Sequence, residues 1–231
     1  MDRPQQASLD FASLKARPSV NPDRIPVPGQ QSLALEAVRD TLLYVPHSLQ
    51  PGRQAPLVLL LHGAGGEAGG GLALLSGFAE SHKLILAAPS SRGSTWDGVR
   101  GAFGPDIRMI NKSLERIFQL VSVDPDRTAV GGFSDGASYA LALGLANGDL
   151  FSKIIAFSPG FVPPVPRQGK PRLFVSHGDS DGVLPIDRTS RRLVPALQSE
   201  GYDLTYREFQ GAHTVPAGIV LEAVDWLGWQ A

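Results

Sequence analysis

The chain has 231 residues, enough for one α/β domain with a large buried core. A formal net charge of −1 and a pI near 6.5 argue against a broad basic face for nucleic acid or anionic lipid. The absence of cysteine excludes a thiol nucleophile, a disulfide and a zinc finger, and no apolar stretch approaches membrane-spanning length.

Residues 1–31 hold Pro4, Pro18, Pro22, Pro26 and Pro28 among few large apolar groups. They read as an irregular arm, packed on the surface or partly disordered. Met1 to Leu9 lacks the apolar core of a signal peptide, so the default compartment is cytoplasmic, with an exported form whose signal has been removed left open. Over 32–231, strand-like and helix-like runs alternate, which predicts a single α/β domain whose mostly parallel sheet is covered by helices on both faces. Thr41 to Val45 predicts an early antiparallel strand, and Leu57 to Leu61, Leu84 to Ala88 and Thr128 to Gly132 predict central ones. Ile154 to Phe157, Leu173 to Ser176 and Leu204 to Phe209 continue the sheet. Ile107, Ile110, Leu114, Ile117, Phe118 and Val121 recur at three- and four-residue steps, the stripe of an amphipathic helix. Ile219, Val220, Ala223, Val224 and Leu227 repeat the pattern near the C-terminus, whereas Ala137 to Ala146 is small on nearly every side, as a centrally buried helix must be.

Three segments carry chemistry. Gly132-Phe133-Ser134-Asp135-Gly136 lies between an apolar run and the small-residue helix, so Ser134 sits in a tight strand-to-helix turn. Val175 to Pro185 places Asp179 and Asp181 just past a strand end, and Gly211-Ala212-His213 follows the last strand. A serine hydroxyl is a weak nucleophile at neutral pH and needs a base to take its proton. Imidazole, with a pKa of about 6.5, can take that proton and return it to a leaving alcohol. A carboxylate on the other ring nitrogen fixes the tautomer. Ser134 is the candidate nucleophile, His213 the base and Asp181 the orienting acid, with Asp179 as the rival carboxylate. His62 and His177 open glycine turns where a histidine bonds locally, and His47 and His82 lie in polar connections.

Leu57 to Leu61 leads into His62-Gly63-Ala64-Gly65-Gly66, a turn able to present backbone N–H groups to a developing oxyanion. Ala64 is the expected donor with Gly65 as competitor, and the N–H of Asp135 is the expected partner. The glycines of 63–71 lack the Gly-Lys-Ser/Thr ending of a phosphate loop. No histidine or cysteine cluster accompanies Asp179 and Asp181, so neither a metal nor a cofactor is expected.

As a set these segments resemble the compact phospholipase/carboxylesterase-type serine esterases of the α/β-hydrolase superfamily. The resemblance spans roughly residues 32–231 and rests on Leu61 to Gly65, Gly132 to Gly136, His177 to Pro185 and Gly211 to His213. Leu184 stands where the family often has valine, while Asp106 and the Asp124 to Arg127 lead-in match family positions of structural kind. The resemblance implies a carboxylic-ester hydrolase working through an acyl-enzyme on small-molecule esters, with short or medium acyl chains or aryl groups. Lysophospholipid, thioester, polyester or feruloyl-type substrates are alternatives, and a non-catalytic binding protein or a peptidase rank below them. The 158–172 connection is too short for a cap domain, so an open cleft is expected. Phe161 and Val162 are candidates for one apolar wall of that cleft or for a plain surface loop. Trp96 is a candidate to flank the acyl group or simply to pack.

Overall fold

The computed structural model describes residues 12–19 and 26–229, so Pro4, Pro22 and the Met1 to Leu9 segment lie outside the described residues. The sheet is built from β1 (Gly29–Ser32), β2 (Leu42–Val45), β3 (Ala55–Leu61), β4 (Ile85–Ala88), β5 (Val123–Phe133), β6 (Lys153–Phe157), β7 (Arg172–Gly178) and β8 (Leu204–Phe209). Their order across the sheet is β1-β2-β4-β3-β5-β6-β7-β8. β1 and β2 are antiparallel to each other, and β2 is antiparallel to β4. From β4 to β8 every pairing is parallel. All seven residues of β3 are buried, which explains why it reads as an unbroken apolar run: both faces of a central parallel strand are covered. β8 lies at the outer edge and bonds to β7 alone.

Five α-helices cover this sheet among the described residues: α1 (Ala68–Ala73), α2 (Pro105–Leu120), α3 (Asp135–Ala146), α4 (Ser190–Ser199) and α5 (Ala217–Leu227). Alternate residues of the strands divide the core into two layers. Leu57, Leu59, Leu61, Val130 and Ile154 face α2, α3 and α4. Val58, Leu60, Ala129 and Ile155 face α1 and α5. The expected stripe of α2 is buried from Ile107 to Phe118, and α3 is buried on nearly every side because its small residues let it lie close to the sheet.

The described part of the arm expected over residues 1–31 shows two features. β1 begins at Gly29, so residues 29–31 belong to the sheet and not to the arm. The 12–17 stretch of the arm is docked, with Ala12, Leu14 and Ala16 buried. The Asn147 side chain accepts from the Leu14 N–H at 2.7 Å and donates to the Ala12 carbonyl at 2.9 Å. Arg17 pairs with Asp149. The connection 158–171 carries no helix or strand, and it descends beside α3 until the Gln168 N–H meets the Leu145 carbonyl.

Candidate active site

β5 delivers Ser134 to the C-terminal edge of the sheet, where the chain reverses into α3. The turn is tight because three backbones converge. A β-carbon at Gly132 would lie 2.5 Å from Gly136 backbone atoms, and one at Gly136 would overlap the carbonyl oxygens of Leu61 and His62. Ser134 itself holds φ 58° and ψ −122°, a strained conformation for a residue with a side chain. That strain points the hydroxyl out of the turn toward the loops that follow β7 and β8.

Those loops supply the partners. The Ser134 hydroxyl donates to His213 Nε2 at 2.9 Å, and His213 Nδ1–H donates to Asp181 Oδ2 at 2.6 Å. The Phe133 ring lies 4.6 Å from the imidazole and packs against it. The Asp181 side chain is wholly buried, whereas that of His213 keeps 15 % exposure. Burial works against ionisation of Asp181. The Leu184 N–H, the His213 N–H and the Val183 N–H outweigh it and hold the carboxyl below its ordinary value. The acid therefore stays ionised and able to support an imidazolium. The rival carboxylate has a different role. Asp179 Oδ1 accepts from the Gly211 N–H at 3.1 Å, fixing the start of the turn that carries His213.

The sequence suggests a locally bonded turn histidine at 177, and its local contacts include the acid. His177 is fully buried. Its Nε2–H donates to the Leu184 carbonyl at 2.8 Å, and Asp181 Oδ2 lies 3.1 Å from the same nitrogen. The Ser190 hydroxyl donates to its Nδ1 at 2.7 Å. A carbonyl can only accept, so Nε2 carries a proton, and the lowered pKa favours the neutral ring with Nδ1 as acceptor. Burial lowers its pKa in spite of the nearby Leu184 and Asp181 oxygens. The one sequence signal for this role is its position four residues before Asp181.

At the 62–66 turn the two candidate donors separate. The Gly65 N–H is already donated to the Ser94 carbonyl at 2.6 Å, whereas Ala64 and Asp135 have no backbone acceptor among the described residues. The turn is braced from below. Buried His62 takes the Ser91 N–H on Nε2 at 2.9 Å and donates from Nδ1 to the Gly63 carbonyl at 2.7 Å. Thr95 donates to the Asp135 carboxylate at 2.6 Å, so the loop bearing Ser94 and Thr95 touches both sides of the turn pair.

Trp96 takes the packing alternative. It is fully buried, with ring centroids 4.8 Å from His62 and 5.2 Å from Tyr139, and its Nε1–H donates to the His62 carbonyl at 2.8 Å. It buttresses the 62–66 turn from inside. Phe161 is exposed and Val162 is half-buried, and both line a groove against α4. Asp106 is structural, accepting from the N–H groups of Arg92 and Asp97. Among the described residues no helix is long and apolar enough to cross a membrane.

Solved structures share this architecture. Esterase PE8 is 24 % identical over 80 % of this chain and 96 % of its own, with a TM-score of 0.64. A fluorophosphonate-binding serine hydrolase of Staphylococcus aureus, solved with substrate bound, is 15 % identical over 87 % of this chain and 99 % of its own, with a TM-score of 0.68. A phospholipase/carboxylesterase from Dyadobacter fermentans is 15 % identical over 88 % and 99 %, with a TM-score of 0.61. No curated protein matches the sequence. The phospholipase/carboxylesterase family model matches residues 99–227, more than half of the chain and the part that carries Ser134, Asp181 and His213. The chain belongs to the phospholipase/carboxylesterase family.

Proposed function

We propose that the protein hydrolyses carboxylic esters of short or medium acyl chain through an acyl-enzyme formed on Ser134. The observation that carries this reading is the continuous path from the Ser134 hydroxyl through His213 to a buried, ionised Asp181. Ser134 Oγ attacks the ester carbonyl as its proton passes to His213 Nε2. The tetrahedral oxyanion lies toward the N–H groups of Ala64 and Asp135, aided by the positive end of α3. Collapse breaks the bond to the alcohol, which leaves with the proton from His213. Water then attacks the acyl-enzyme with His213 again as base, and the acid departs from Ser134.

The bare 158–171 connection supports a preference for dissolved esters, since it holds no helix that would lie over the site as a lid. Turnover of a p-nitrophenyl ester series by the wild type and by Ser134→Ala tests the assignment. The variant is expected to lose roughly 10⁴-fold or more in kcat. Undiminished turnover in Ser134→Ala would remove Ser134 from the mechanism. Failure of a fluorophosphonate to label Ser134 would favour a non-catalytic ligand-binding role.

A further inference from the structure

A groove of about 300 Å³ runs between the 160–167 segment and α4. Thr189, Leu193, Ala196 and Glu200 mark successive turns along one side of it, spanning roughly 16 Å at 1.5 Å per residue. At its upper end Gly160 is tied to the turn that carries Ser134. The Ser138 N–H bonds the Ser134 carbonyl at 3.0 Å, and the Ser138 hydroxyl accepts the Gly160 N–H at 3.0 Å. Leu184, whose N–H is held by Asp181, packs beside Gly160. Phe161, Val162 and Leu193 make the lining partly apolar.

The charges in this groove are unbalanced in one place. At the lower end Arg167 and Glu200 pair at 2.9 Å. At the upper end stand Arg188 and Arg192, and neither has a carboxylate partner among the described residues. Arg192 donates from Nε to the Asp187 carbonyl at 3.1 Å, but the Asp187 carboxylate is taken by Arg191 at 2.7 Å. Two guanidiniums one helical turn apart repel each other. Their planar forks suit a carboxylate or phosphate bound through two oxygens.

We propose that the upper end of this groove is a subsite for an anionic oxyacid group carried by the ester itself. The preferred substrates are then esters with a second, charged arm, a carboxylate or a phosphate a few carbons from the bond cut at Ser134. This rests on the esterase reading above and adds the substrate class to it.

The test compares methyl half-esters of glutarate, adipate and suberate with neutral methyl alkanoates of matched length, following the released acid by chromatography. A second arm compares butyryl glycerol phosphate with butyryl glycerol, and so tells a carboxylate from a phosphate. The readout is the ratio of kcat/KM for the charged ester to that for its neutral match, which a partly unfolded preparation does not move. At low ionic strength the ratio is expected to be about tenfold in one of the arms and to fall as salt is added. In the double variant Arg188→Gln, Arg192→Gln it is expected to drop to about one, with the lysine pair retaining part of it. Arg116→Gln, an exposed arginine on α2, serves as the control for overall charge. A wild-type ratio near one in both arms overturns the subsite, as does a ratio that survives the glutamine pair. Neutral esters cleaved by wild type and not by Ser134→Ala would leave the esterase reading standing in either case.

Discussion

Asp181 accepts more hydrogen bonds than a triad acid needs for its histidine alone. Its Oδ1 takes two backbone N–H groups, and its Oδ2 is shared between His213 and His177. We expect His177 to act as a positioning residue, because its Nε2 lies 3.1 Å from the Oδ2 that faces His213. His177→Leu would leave the Ser190 hydroxyl without its partner and the Leu184 carbonyl with only the Thr189 hydroxyl at 3.5 Å, costing about 1–3 kcal/mol of stability. It is expected to lower kcat about tenfold with KM little changed, because the acid reorients while the substrate surface stays as it was. His177→Gln, which keeps a donor, should recover part of that loss. A KM effect with kcat intact would show that His177 acts elsewhere. The positions of Ser134, Asp181 and His213 were legible because their chemistry sits on turn residues of fixed spacing. Trp96 was not, since whether a loop tryptophan faces substrate or core depends on which distant side chains, here His62 and Tyr139, close over it.

The turn between β5 and α3 is where three elements pass closest. Gly136→Ala would drive a β-carbon into the carbonyl oxygens that end β3, and relief requires moving either the central strand or the buried helix. The variant is expected to lose about 3 kcal/mol or more, visible as a lower melting temperature and a parallel loss of activity. A stable, active Gly136→Ala would mean that the backbones can separate there without loss. Elements with a strong internal pattern were legible: the apolar run of β3, the stripe of α2 and the small-residue α3. Three others were not. α1 is Ala-Gly-Gly-Gly-Leu-Ala, a poor helix former, and it is held by close packing, since a β-carbon at Gly71 would lie 2.7 Å from the Leu60 carbonyl. α4 contains Pro195, which argues locally against a helix. β1 is Gly-Gln-Gln-Ser, with no alternation of its own, and it exists through pairing with β2. The unmatched arginines escaped sequence reading for the same reason. A charge is unpaired only relative to neighbours that folding chooses.

The molecule as a whole buries two neutral imidazoles, His62 under the oxyanion turn and His177 under the acid turn. Burial lowers both from their ordinary 6.5, overcoming the carbonyl oxygens of Gly63 and Leu184 that act in the opposite direction. In the unfolded chain both groups take up protons near pH 6.5, so below that pH the unfolded state binds more protons than the folded one. Their contribution to stability is complete above about pH 6.5 and declines as pH falls toward the depressed folded values, by up to about 1.4 kcal/mol per pH unit for each histidine. Melting temperatures should hold between pH 7.5 and about 6.5 and fall from there to pH 5.5. A flat profile over that interval would mean that these rings ionise without opening the fold. The three triad members are anchored with unequal firmness. The hydroxyl stands on a strand flanked on both sides, whereas the imidazole hangs from the strand at the margin of the sheet. Fraying at that margin withdraws the base while the rest of the scaffold remains assembled. On warming, turnover is thus expected to fade before far-ultraviolet dichroism changes, and the protein would pass through an inert but still ordered form.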